Sequence, residues 1–237
     1  MSDEEFYIGY ESGMPPRMRR IVRLAIACAS VAALASAVVF VGLQRVLAES
    51  TFEFGQVRSF AGYLELAPVP VLHVLHGDGA TPHWLVAPGK FGAAAAIGDA
   101  SGGWVTLDGT LVARESWRMI EVRPGSARPL LSSAPPPMPV GAPVRRTVVR
   151  GEIVDSKCFL GVMNPGEGTA HRDCAVRCLS GGIPPMFVFE DASGSHLALL
   201  LGAGEYWLRN NVGRPVTLTG VQSGPEESLV LMIDPAR

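Results

Sequence analysis

Val105-Thr106-Leu107-Asp108-Gly109 is echoed later in the chain by Val216-Thr217-Leu218-Thr219-Gly220. Each run is followed by a second strand-like stretch, Trp117-Arg118-Met119-Ile120-Glu121 in one case and Leu229-Val230-Leu231-Met232-Ile233-Asp234 in the other. Upstream, Phe60-Ala61-Gly62-Tyr63-Leu64 and Val149-Arg150-Gly151-Glu152-Ile153 share a central glycine in an alternating pattern, and Trp84-Leu85-Val86 and Phe187-Val188-Phe189 lie between. Alternating apolar residues bounded by Gly and Pro describe half-buried antiparallel strands. About five such strands in roughly 80 residues suit a small barrel, and a glycine in the first strand suits its bend around both sheets. The expected fold class is therefore mainly β, with two tandem small OB-like β-barrels. A single β-sandwich built from all the strands is the rival arrangement.

Composition agrees. With 27 Gly, 19 Pro and 7% aromatic residues in 237, the chain favours short strands and turns over helical bundles. A net charge of −2 and the lack of a basic stripe interleaved with aromatics give no support to a nucleic-acid partner. The run Ser132-Ser133-Ala134-Pro135-Pro136-Pro137-Met138-Pro139 favours extended polyproline geometry and separates the halves. The expected organisation is a head at 1–20, a membrane helix at 21–48, a first β-domain at 49–131, a linker at 132–144 and a second β-domain at 145–237.

Leu24 to Leu43 read LAIACASVAALASAVVFVGL, without a charge. At 1.5 Å of rise per residue this run covers about 30 Å, the thickness of a hydrocarbon core. Arg17, Arg19, Arg20 and Arg23 precede it, so the positive-inside rule puts the N-terminus in the cytoplasm. The expected location is the bacterial inner membrane, with the bulk of the chain in the periplasm and the lipid bilayer as one partner. A cleaved signal peptide, ending at Val46 and Ala48, is the competing reading, but the apolar run exceeds the usual 7–15 residue core. Ala29, Ala33, Ser36 and Ala37 lie on neighbouring turns, a spacing that lets another helix approach closely. An Ala-rich helix that simply faces lipid explains them equally. Phe6, Tyr7, Ile8 and Tyr10 in the head suit a partner subunit or the headgroup layer.

The halves differ most between their first and second strands. There the second half carries Asp155-Ser156-Lys157-Cys158, then Gly161-Val162-Met163-Asn164-Pro165-Gly166, His171-Arg172-Asp173-Cys174-Ala175-Val176-Arg177-Cys178 and Gly181-Gly182-Ile183-Pro184-Pro185-Met186. Three thiol chemistries compete. In an oxidising space, Cys158 with Cys174 or Cys178 would form a disulfide closing a loop of about 16–20 residues, for about 3 kcal/mol, leaving one cysteine over. Alternatively Cys158, His171, Cys174 and Cys178 supply a metal set. If 171–179 is helical, Cys174 and Cys178 share a face with His171 beside them. Cys₃His suits zinc, whereas cysteine with Met163 or Met186 suits Cu(I). Third, Arg172 and Arg177 could lower a thiol pKa for redox work, although no C-x-x-C is present. His171 bonded to a loop carbonyl is the plainer expectation for that side chain.

Elsewhere, His73, His76 and His83 are expected to be solvent-facing or capping, and Pro88-Gly89-Lys90-Phe91-Gly92 is a turn without the phosphate-loop pattern. No catalytic motif is present in the sequence, and no enzyme or resident cofactor is expected beyond candidate zinc or copper. The run from Asp155 to Pro185, taken with the anchor, resembles uncharacterised bacterial single-span membrane-anchored proteins with an exported OB-like β-domain. That resemblance implies anchoring and an exported β-domain and carries no site roles. The expected function is a periplasmic accessory or structural subunit that scaffolds other membrane protein subunits, a redox or photosynthetic complex being one kind of host. The alternative is a metal-binding or metallochaperone module built on the cysteine loop.

Overall fold

The computed structural model describes residues 13–44, 50–76, 79–131, 144–192, 194–225 and 228–233. The head residues Phe6, Tyr7, Ile8 and Tyr10, the cleavage alternative at Val46 and Ala48, and the linker run Ser132 to Pro139 lie outside the described residues. The chain divides into two units, Met1–Ala48 and Glu49–Arg237.

The first unit is the helix α1 (Pro16–Gln44), long and apolar enough to cross a membrane, with none of its described residues buried. It starts earlier than the expected residue 21. Proline is well suited to a first helical position, where its missing N–H has no partner to lose. Arg19 strengthens this start by donating from Nη2 to the Met14 carbonyl at 2.9 Å. The arginines at 17, 19, 20 and 23 therefore ride on the same helix as the apolar run.

In the second unit a short strand β1 (Ser50–Phe52) leads into β2 (Arg58–Glu65), β3 (Val71–His76), β4 (Gly79–Ala87) and the small β5 (Phe91–Gly92). The short helix α2 (Ala94–Ile97), then β6 (Gly103–Arg114), β7 (Trp117–Val122) and β8 (Arg128–Pro129) complete this half. The second half runs β9 (Arg145–Asp155), α3 (Gly168–Ser180), β10 (Pro185–Asp191), β11 (Gly194–Leu201), α4 (Glu205–Asn211), β12 (Pro215–Ser223) and β13 (Val230–Ile233).

Both halves close into five-strand barrels with one connectivity. In the first, β2 pairs antiparallel with β3 and β6, β3 with β4, β6 with β7, and a parallel β4–β7 pair closes the ring. In the second, β9 pairs with β10 and β12, β10 with β11, β12 with β13, and a parallel β11–β13 pair closes it. A helix precedes the fourth barrel strand in each half.

The sequence echo lands in register. Gly62 lies opposite Val105, and Gly151 lies opposite Val216. Both glycines mark a close backbone approach: an added Cβ would sit 2.3 Å from the His73 carbonyl oxygen at Gly62 and 2.0 Å from that of Val188 at Gly151. One part of the sequence comparison fails. Trp84-Leu85-Val86 is the third barrel strand and Phe187-Val188-Phe189 the second, so the true counterpart of the tryptophan run is Leu199-Leu200-Leu201 in β11. Buried strands carry similar apolar runs, and periodicity alone does not rank them.

Two cores result. Leu64, Leu72, Leu85, Val105, Leu107 and Ile120 fill the first barrel. The larger core belongs to both halves: Trp84, Val86, Val112, Trp117 and Met119 on the outside of the first barrel pack with Phe159, Leu160, Ile183, Phe187 and their neighbours. Strands β4 and β7 are thus buried on both faces, as adjacent Met119 and Ile120, each 0% exposed, make plain. The Trp84 and Trp117 rings stack at 5.7 Å. Packing of Phe159, Leu160 and Ile183 into this shared core brings the cysteine loop against the first barrel.

Candidate metal centre

Strand β9 ends at Asp155, and the chain turns sharply there. Both oxygens of this fully buried carboxylate are engaged: Oδ1 accepts the Cys158 backbone N–H at 2.9 Å, and Oδ2 lies 2.8 Å from His171 Nε2. A carboxylate accepts, so Nε2 carries a proton, and Nδ1 is the ring atom that would supply a lone pair to a metal. This arrangement orients a ligating histidine in metal sites. The turn Cys158–Val162 follows, packed on β1 where Gly161, at φ 152°, passes close to the Thr51 carbonyl.

Helix α3 is amphipathic, burying His171, Ala175, Cys178 and Leu179. Residues three and four apart share a helical face, so His171, Cys174 and Cys178 all look toward Cys158. The ligand atoms of Cys158, His171 and Cys174 lie within 4.8 Å of one another, and so do those of Asp155, Cys158 and Cys178. Cys158 belongs to both groups. The sequence-derived set of Cys158, His171, Cys174 and Cys178 is therefore brought to one place, with Asp155 added.

The expected disulfide is not formed: Cys158, Cys174 and Cys178 are free thiols. The tie it was to provide is made by other means. Ala175, Cys178 and Leu179 enter the shared core, and the Asp155–His171 pair fastens α3 to the end of β9. His171 also takes a carboxylate partner, not the expected loop carbonyl.

The cation beside the thiols comes from the other barrel. Lys90, in the turn between β4 and β5, donates from Nζ to Cys174 Sγ at 2.7 Å and to Cys178 Sγ at 3.5 Å. Its hydrogen bond to Cys174 holds its pKa above the ordinary lysine value. Arg172 and Arg177 do not play that part. Arg172 donates to the Arg209 and Asn210 carbonyls at 3.4 Å, and Arg177 is exposed. The buried thiols are polarised against each other. A hydrogen bond from Cys158, helped by Lys90, outweighs burial and lowers Cys178 to about 7. The same bond, with burial and the nearby Asp155 charge, pushes Cys158 upward.

Lys157 fixes the turn that delivers Lys90. The residue is 2% exposed, and Nζ donates to the Ala87 and Gly89 carbonyls at 2.9 and 2.8 Å while pairing with the Glu121 carboxylate. Beside it the Gly92 N–H donates to the Gly181 carbonyl at 2.9 Å. An added Cβ at Gly181 would lie 1.7 Å from the Lys90 carbonyl oxygen, so only glycine fits. The Gly181-Gly182 pair and the Pro88–Gly92 turn are thus two sides of one seam. The turn expected at 88–92 is present over 88–90, with Phe91–Gly92 in β5, and the part played by its lysine has no local signal because nothing in the sequence links positions so distant. Asp155 had a local signal: a carboxylate three residues before Cys158 is placed to cap the turn.

Met163 closes the outer side, with Sδ 3.5 Å from Cys174 Sγ. Met186 is fully buried in the core. Of the other histidines, His73 pairs with Glu65 at 2.9 Å and His83 donates from Nδ1 to the Thr81 carbonyl at 3.0 Å. Among the described residues none of these joins a group of three ligands. No family model, curated protein or solved structure matches the chain.

Proposed function

We propose that this chain is a membrane-anchored module that holds a metal ion on the periplasmic side of the bacterial inner membrane. The observation that carries this reading is the convergence of Cys158, His171 and Cys174 within 4.8 Å, with Cys178 and Asp155 gathered around the same Cys158 sulfur. Thiol and imidazole donors suit soft and borderline ions. Asp155 behind His171 supplies the kind of supporting hydrogen bond that metal-binding histidines use. The strand order and the parallel third-to-fifth pairing support an OB-like assignment for both barrels, and in such barrels the first inter-strand connection is a customary binding surface. The arginines at the start of α1 support a cytoplasmic N-terminus. The test is elemental analysis of the full chain, purified in detergent under reducing conditions. About one equivalent of zinc or copper retained through dialysis, and lost in Cys158→Ser, supports the reading. A folded chain that neither retains nor takes up either ion overturns it.

A role as accessory subunit of a membrane assembly is a second, separate proposal. It draws on α1, whose Ala29, Ala33, Ser36 and Ala37 give a neighbouring helix a close approach. Co-purification of stoichiometric subunits in mild detergent supports it, and a chain that emerges alone and monodisperse overturns it.

A further inference from the structure

We infer that the ion is monovalent copper, received at the surface by Met163 and Cys174 and held deeper by Cys158 and Cys178. This inference rests on the metal reading of the same site. Met163 follows the cysteine turn in extended backbone and is 47% exposed, so its thioether is open to an arriving ion. Its sulfur lies 3.5 Å from Cys174 Sγ, and Cys174 is the least buried of the three clustered thiols. A thioether is a ligand for soft ions such as Cu(I) and a poor one for zinc or harder cations. The outer pair is therefore selective in a way that a cysteine–histidine set is not. Behind it Cys158 and Cys178 are 3% and 1% exposed and hydrogen-bonded to each other, a dry dithiol that suits retention. Cys174 and Cys178 stand one helical turn apart on α3, so the ion can pass inward by ligand exchange. In each exchange one copper–sulfur bond forms as another breaks, a binding thiol gives its proton to water, a departing thiolate takes a proton back from water, and copper stays in the +1 state throughout.

The experiment uses the full chain in detergent, metal-free, reduced and under argon. It is presented with Cu(I) held by a coloured bidentate chelator and, separately, with Zn(II) held by a zinc indicator. The wild-type chain is expected to withdraw Cu(I). Met163→Leu, an exposed and shape-conserving change, is expected to slow or weaken that withdrawal by at least about tenfold while leaving zinc uptake unchanged. Unchanged circular dichroism certifies the fold of the variant. Equal Cu(I) uptake by both forms overturns the inference, as does a chain that binds zinc and leaves copper with its chelator; in the latter case the metal reading survives. A chain that takes neither ion overturns both.

Discussion

Lys157 in the second barrel donates to the Gly89 carbonyl in the first at 2.8 Å, and so one buried ammonium fixes the turn from which Lys90 reaches the thiols. Glu121 is its ionic partner, only 19% exposed at the side chain. Lys157→Met leaves that carboxylate nearly buried and unpaired. A loss of about 3–5 kcal/mol is expected, read as a large drop in the melting temperature of the detergent-solubilised chain. Lys157→Met combined with Glu121→Leu should recover most of it, because an apolar pair replaces an ion pair with little net loss. Equal melting of the single and double variants refutes the account.

Gly181→Ala tests the seam itself. The new methyl group meets the Lys90 carbonyl, a backbone atom that cannot swing aside, so the two barrels must separate locally. We expect marked destabilisation and loss of metal uptake together. Gly79→Ala, whose nearest neighbour would be 3.8 Å away, is the control and should change neither beyond about 0.5 kcal/mol.

His83 makes the fold acid-sensitive. Burial, the main cause, lowers it from 6.5 to about 4, so the folded state holds it neutral. The unfolded chain binds the proton first as pH falls. The stabilisation is therefore complete above 6.5 and drains away between 6.5 and about 4, by on the order of 3 kcal/mol. His83→Gln should flatten the melting profile across that window, and an unaltered slope would dismiss the role.

The two buried thiols should titrate far apart. Thiolate absorbance of the reduced, metal-free chain, taken as a difference against Cys178→Ser, is expected to rise with a midpoint near 7. Cys158→Ala removes the donor that contributes most and should move the midpoint up toward the ordinary thiol range. Lys90→Met should move it the same way by less, since the charge and the hydrogen bond of its ammonium each rank below the Cys158 bond. The reverse ranking would assign the shift to the lysine.

Local pattern carried much of this architecture. The glycine in each first strand and the Val-Thr-Leu run in each fourth strand meet in the same register because both report the same bend and the same pairing. The ligand set was also readable, since His171, Cys174 and Cys178 are tied by helical periodicity alone. What escaped is everything that crosses the seam. Lys90 and Lys157 look like ordinary surface lysines in sequence, and only packing of Trp84 and Met119 against Phe159 and its neighbours turns one into a thiol's partner and the other into a buried clamp. The free thiols were misjudged for the same reason: spacing shows that two cysteines can meet, whereas the buried contacts that make a covalent tie redundant are tertiary.

The shared core of Trp84, Met119, Phe159 and Phe187 has a practical consequence for anyone dissecting this molecule. The proline-rich stretch invites a cut, yet each fragment would carry a raw apolar wall where its sibling had been. A recombinant second half would also lose the lysine that sits on its sulfurs. Failure of such a fragment to load or to stay in solution would then report the severed wall, and only a piece beginning ahead of β1 keeps the centre whole.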